Sequence, residues 1–215
     1  TKAFTSEDYD KEKSDLSRTY DDKRDELIKK LSLNNLNTQT AMQCAPLIAG
    51  LKASNLMRID RGYYRQLMQI IKGTKISCYV LVMTDTRITM LMYNEEKLRA
   101  YLESEHTSEL MKKFGYEDCK LEKILPVFKT RYRRYISDNK DFPHELGLLL
   151  DYPAEDVEGF IEKRGQESLY TGYWKVYDKP EEKCRLFDSF EKAKQDILEK
   201  ISGGMDMRQI IAVYA

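Results

Sequence analysis

Histidine is scarce in this chain: His106 and His144 are the only two among 215 residues. A site built from several imidazoles is excluded, and His144-Glu145 lacks the second histidine of the H-E-x-x-H zinc motif. Cysteine is equally thin. Cys44, Cys78, Cys119 and Cys184 are widely scattered, with no C-x-x-C. That spacing argues against a sequence-local metal site and fits the reduced thiols of a cytoplasmic protein. No apolar run is long enough to cross a bilayer, so no membrane partner is expected. The polar opening "TKAFTSEDYDKEKSDLSRTYDDKRDELIKK" has no secretory h-region. Net charge is also absent, with 36 basic and 36 acidic residues. A general polyanion-binding surface, and nucleic acid with it, is disfavoured. Neither G-x-x-x-x-G-K-[ST] nor G-x-G-x-x-G occurs, which disfavours nucleotide chemistry of those kinds.

What is present is enough for one well-buried core: 41% of residues are hydrophobic. Residues 7–32 alternate acidic and basic side chains around a thin stripe of Leu16, Tyr20, Leu27, Ile28 and Leu31. The pattern predicts a charged helical extension over residues 1–36. Residues 37–215 then read as a single domain. Thr38 can cap a helix through Ala41 and Met42. At Pro46 that helix either kinks or gives way to a new one. Tyr64, Leu67, Met68 and Ile71 mark an amphipathic helix over 60–72. "ISCYVLVM" and "RITMLMY", separated by "TDT", predict a β-hairpin, with the first run apolar enough to be a central strand. Asn94 is the expected cap of the next helix. Residues 118–136 read as helix, kinked or split at Pro126, and "GLLL" reads as a short buried strand or the turn before one. "YPAEDVEGFIEKRG" is helical, and "TGYWKVY" is strand-like. Asp178 and Glu181 suggest a capping box for a long helix with Leu186, Phe187, Phe190, Ile197 and Ile201 on one face. A short helix over 207–213 follows. The sum is an α+β fold, a small and largely antiparallel sheet covered by several helices.

Three stretches, "CAPLIAGLKASNL" (44–56), "FPHELGLLLDYPAEDVEGFI" (142–161) and "GYWKVYDKPEEKCRLF" (172–187), together and in this order resemble a known family. It is a bacterial family of unknown function, numbered three-seven-nine-three among the domains of unknown function and common in anaerobic Firmicutes. The resemblance spans roughly residues 38–213. It implies a single domain and a setting in anaerobic redox or iron physiology, and it implies no reaction and names no cofactor. The family often carries a proline after the lysine of the first block, whereas Ala53 follows Lys52 here.

Candidate chemistry gathers in the same blocks. If Pro46 opens a helix, Cys44 lies at its N-terminus, where a thiolate is favoured. His144 could then act as base and Glu145 could orient it. The plain alternative is a buried cysteine and a histidine that serves a turn shaped by Pro143 and Gly147. In a strand, Tyr173, Lys175 and Tyr177 would share one face and Trp174 and Val176 the other, which suits a flat or anionic ligand or ordinary sheet packing. Lys52 and Asn55 are candidates for binding the same ligand. "KTRYRRY" (129–135) reads as a solvated helix face before it reads as a nucleic-acid patch. The expected function is a cytoplasmic accessory protein that binds a small-molecule ligand or a redox protein partner. The alternatives are a thiol enzyme using Cys44 and His144, and an assembly protein docking through its N-terminal helix.

Overall fold

The structure, a computed structural model, describes residues 25–32, 34–138 and 141–215. Most of the charged N-terminal helix expected over residues 7–32 therefore lies outside the described residues, although 25–30 are helical. The next helix, α1 (Leu36–Ile48), is capped by Asn35, whose side chain accepts from Asn37 N–H at 2.7 Å. Thr38, the expected cap, is buried inside the helix instead. Pro46 does not restart it, and the helix runs on to Ile48. Near the C-terminal end the lost N–H bond is cheap, and the Pro46 carbonyl accepts from both Leu51 N–H (2.8 Å) and Lys52 N–H (3.1 Å) to turn the chain out of the helix.

That turn feeds β1 (Ser54–Asp60), a strand the sequence did not announce because Asn55, Arg58 and Asp60 break its apolar alternation. It is followed by a 3₁₀ turn, α2 (Tyr64–Ile71), and the hairpin β2 (Ile76–Met83) and β3 (Arg87–Asn94). The sheet order is β1-β3-β2, antiparallel throughout, with Met57 opposite Met90 and Met90 opposite Val80. The expectation of β2 as a central strand is corrected: β3 takes the centre, because β1 pairs along its free side. The outer side of β1 is closed at one point by a side chain. Gln43 of α1 accepts from Arg58 N–H (2.8 Å) and donates to Arg58 C=O (3.0 Å), imitating a neighbouring strand.

Asn94 caps α3 (Glu95–Leu102) through Lys97 N–H at 3.0 Å, as expected. There follow α4 (Glu105–Lys113), α5 (Leu121–Asp138, unbroken at Pro126), α6 (Leu146–Leu149), α7 (Ala154–Glu162), a two-residue pair β4 (Tyr170–Thr171) and β5 (Lys175–Val176), α8 (Pro180–Ser202) and α9 (Met207–Val213). "GLLL" is thus one helical turn, not a strand. "TGYWKVY" is a tiny hairpin, not a continuous strand, because Gly172 N–H bonds Trp174 C=O and folds the chain back on itself. A Cβ on Gly172 would lie 2.5 Å from the Phe187 ring, so only glycine fits this turn. The capping box predicted at Asp178 and Glu181 is also absent. Lys179, with φ 45°, precedes α8 without a side-chain cap, and the capping box occurs at Asp206 and Gln209 before α9.

Both faces of the sheet are covered. Met57, Ile59, Ile88, Met90 and Met92 pack under α1, α2, α8 and α9. Leu81 and Leu91 pack under α3 to α7, with Phe128 wholly buried. Each such side chain contributes roughly 1.5–3 kcal/mol on leaving water. A smaller aromatic cluster of Trp174, Val176, Phe187 and Phe190 joins the β4–β5 hairpin to α8. The result is an α+β domain whose sheet lies between two helical layers.

Candidate functional site

The three sequence blocks meet at one residue, Tyr152. From the first block, Ala53 N–H donates to Asp151 Oδ2 at 2.7 Å and Ser54 Oγ donates to Leu149 C=O at 2.5 Å. These bonds seat the segment after α1 on the turn after α6. Lys52 Nζ then lies 5.0 Å from the centroid of the Tyr152 ring. From the third block, Trp174 stacks on Tyr152 with centroids 4.8 Å apart. Asp151 can make its turn because it adopts φ 59°, a left-handed conformation that aspartate tolerates better than most residues.

Beside this stack is a cavity of about 250 Å³. Its walls are aromatic and aliphatic: Phe142, Leu150, Tyr152, Val157, Phe160 and Trp174. Gly147 forms part of the lining, and a Cβ there would lie 2.8 Å from Val157 Cγ2. Three polar side chains also line it, and two are already engaged. Asp156, 2% exposed, accepts from Trp174 Nε1 (2.7 Å), Tyr177 N–H (2.7 Å) and Asp178 N–H (3.1 Å). Lys175 Nζ donates to Gly165 C=O at 2.5 Å, closing the end of α7. His144 makes ring contacts with Phe142 (5.4 Å) and Phe160 (5.8 Å) and has no hydrogen-bond partner for its ring among the described residues. It is half-buried, and Phe142 beside it is 43% exposed.

The other sequence candidates fall elsewhere. Cys44 is 1% exposed within α1, towards its C-terminal end, not before an N-terminus. The helix dipole there opposes a thiolate, and burial pushes the thiol up to about 12 despite the nearby Lys52. No hydrogen bond links it to His144. Glu145 does not orient His144. It is buried and accepts from Tyr116 Oη and Arg131 Nη1, both at 3.0 Å, which locks α5 to the start of α6. The "KTRYRRY" stretch follows from the same packing, with Tyr132 buried beside Phe128 and Arg131 spent on Glu145. His144 does sit in the shaped turn its neighbours implied, with Gly147 N–H bonded to its carbonyl at 3.0 Å. Asn55 shares the strand face of Met57 and Ile59, and its buried Oδ1 has no hydrogen-bond partner. Tyr173 lies in the aromatic cluster, its hydroxyl donating to Glu191 at 2.7 Å and its carbonyl receiving the Tyr152 hydroxyl at 3.5 Å.

Lys52 is the unusual group. It is 4% exposed, and its ammonium makes neither a hydrogen bond nor an ion pair among the described residues. Desolvation lowers it from 10.5 to about 8, against the pull of Asp151 and Cys44. The Asp151 carboxyl is itself raised, first by burial, although the Ala53 N–H bond and Lys52 act the other way. Sequence reasoning missed Asp151, Tyr152, Asp156 and Phe160. The "DYP" turn was the available signal, because a carboxylate and a ring immediately before proline fix where both point.

A family model described as a protein of unknown function, DUF3793, matches residues 40–211. The chain belongs to this family. The DUF3793 match takes in all three blocks, the cavity and the Lys52–Tyr152–Trp174 stack. No curated protein and no solved structure matches the chain. No described helix is long and apolar enough to cross a membrane, and no group of three or more His, Cys, Asp or Glu among the described residues could hold a metal ion.

Proposed function

We propose that this chain is a binding protein for a small, ring-bearing and largely apolar ligand. The ligand occupies the cavity between Phe142, Phe160 and Trp174, and His144 supplies its polar contact. One observation carries this: a preformed aromatic cavity in which Asp156 and Lys175 are already satisfied and the His144 ring has no hydrogen-bond partner among the described residues. An apolar cavity of on the order of 150 Å³ takes one benzene ring. A cavity of about 250 Å³ therefore suits a two-ring body with one hydrogen-bonding group. The accessory role in the cytoplasm, in anaerobic redox or iron physiology, rests on the family resemblance alone.

Trp174 is the sole tryptophan and lines the cavity, so its fluorescence reports occupancy directly. Titration with 2-naphthalenemethanol is expected to change the emission saturably, and His144→Ala to weaken binding about tenfold, the loss of one good hydrogen bond. An emission that stays flat to the solubility limit would discard the proposal.

A further inference from the structure

The lining of the cavity carries one lysine and one aspartate, and they sit at different depths. Lys175 is half-buried, as are His144 and Phe160, and with the exposed Phe142 these residues mark the mouth. Asp156 is 2% exposed and belongs with the buried Leu150, Val157 and Trp174 at the floor. Lys175 Nζ donates to Gly165 C=O just past the C-terminal end of α7, and water at the mouth screens its charge. The floor gives Asp156 no such screening.

Asp156 is hydrogen-bonded without being neutralised. Its three partners are all N–H donors: Trp174 Nε1 on Oδ2, and Tyr177 N–H and Asp178 N–H on Oδ1. Each carboxylate oxygen can accept about two bonds, so Oδ2 keeps one position among the described residues. No Lys, Arg or His among those residues forms an ion pair with Asp156. Lys52, against the Tyr152 ring, has Asp151 as its neighbouring carboxyl instead. The residue lies in the first turn of α7, whose positive pole supplies about half an elementary charge. A full counter-charge is missing from a buried carboxylate that lines an aromatic cavity.

We propose that the cavity selects an organic cation: a ring-bearing amine, bound as its ammonium, with the nitrogen at Asp156 Oδ2 and the rings among Phe142, Tyr152 and Phe160. This rests on the cavity being a ligand site, and it adds an ionic contact at the floor to the His144 contact at the mouth. A charge-assisted N–H···O bond is about twice as strong as a neutral one. Aromatic walls tolerate an alkylammonium far better than a hydrated ion. A metal ion does not suit the floor, because a single carboxylate is no ligand set and no group of three or more His, Cys, Asp or Glu occurs among the described residues. A carboxylate ligand would set a second acid beside Asp156.

The test is calorimetric titration of the full chain near neutral pH with three probes of one shape: 2-naphthylmethylamine, 2-naphthalenemethanol and 2-naphthoate. The amine is expected to bind about tenfold more tightly than the alcohol, and the naphthoate most weakly of the three. In Asp156→Asn the ratio of amine to alcohol affinity should fall to about one. The wild-type series decides the question even where that variant folds poorly. If the alcohol binds as tightly as the amine, or the naphthoate more tightly, cation selection is overturned and the cavity stands as a ligand site. A tenfold preference that survives in Asp156→Asn would also overturn it, because the counter-charge would then lie elsewhere. If none of the three probes binds, both ideas fall.

Discussion

The ring of Tyr152 stacks on the indole of Trp174 at 4.8 Å with their planes 28° apart, and it receives Lys52 Nζ 5.0 Å from its centroid. Segments separated by some hundred residues meet in that stack, and no local sequence pattern encodes the meeting. The indole is anchored from its other end by Asp156, which makes the geometry testable.

Asp156 is the acceptor for Trp174 Nε1 and for two backbone N–H groups that start the segment before α8. Asp156→Ala leaves one buried and two partly buried donors unmatched and is expected to cost about 2–3 kcal/mol in urea unfolding. Asp156→Asn keeps one acceptor oxygen and is expected to lose roughly half as much. Trp174 emission in the native state should shift to the red in the alanine variant, as the indole loses its fixed partner.

Val157 occupies the space that a side chain on Gly147 would need in the lining of the cavity. Gly147→Ala places a methyl 2.8 Å from Val157 Cγ2 and is expected to destabilise the fold by about 1–3 kcal/mol while narrowing the cavity. The double variant Gly147→Ala with Val157→Ala should recover most of the loss. A simple sum of the two single effects would show that the contact is not the cause.

Lys52 makes stability depend on pH with a definite sign. Its folded value of about 8 lies below the ordinary 10.5, so below pH 8 both states carry the proton and the burial penalty is present in full. Between 8 and 10.5 the folded lysine has shed its proton and the unfolded one has not, so stability rises with pH. Relative to Lys52→Met, the wild type should gain about 2 kcal/mol between pH 7.5 and 9.5 in denaturant titrations. Cys44, Cys78 and Cys119, raised first by burial, oppose this within the window, where unfolded thiols ionise, and Tyr101, Tyr116 and Tyr214 above about pH 10; the comparison with Lys52→Met subtracts what both proteins share. A flat difference across that window would mean that Lys52 is solvated in the native state.

Cys44 should be inert. Its burial and raised thiol predict no alkylation by iodoacetamide at pH 7.5 under native conditions, while the partly exposed Cys119 reacts first. Rapid native-state labelling of Cys44 would restore the thiol-enzyme alternative.

Local periodicity was enough for the helices α2, α3, α7, α8 and α9 and for the β2–β3 hairpin, because an amphipathic stripe or an apolar run needs no distant partner to be recognised. It also placed His144 in a turn between Pro143 and Gly147. β1 escaped notice because its polar residues are satisfied by tertiary partners. Arg58 has its backbone bonded by Gln43, and Ser54 donates to Leu149. The lysine, aspartate and aromatic residues of the three blocks were visible as residues, but their roles were not. Glu145 was a plausible partner for His144 by adjacency, yet the fold gives it to Arg131 and Tyr116.

Composition and spacing by themselves determined an α+β domain with scattered thiols, no zinc motif and no net charge, because these follow from residue counts and short-range periodicity. Tertiary structure alone decided that β3 and not β2 is the central strand, that Cys44 lies deep in a helix, and that Lys52 is buried against the Tyr152 ring. The reason is physical. Burial, and the desolvation that comes with it, belongs to the packed whole, and a side chain's reactivity is set by what surrounds it after the chain has folded.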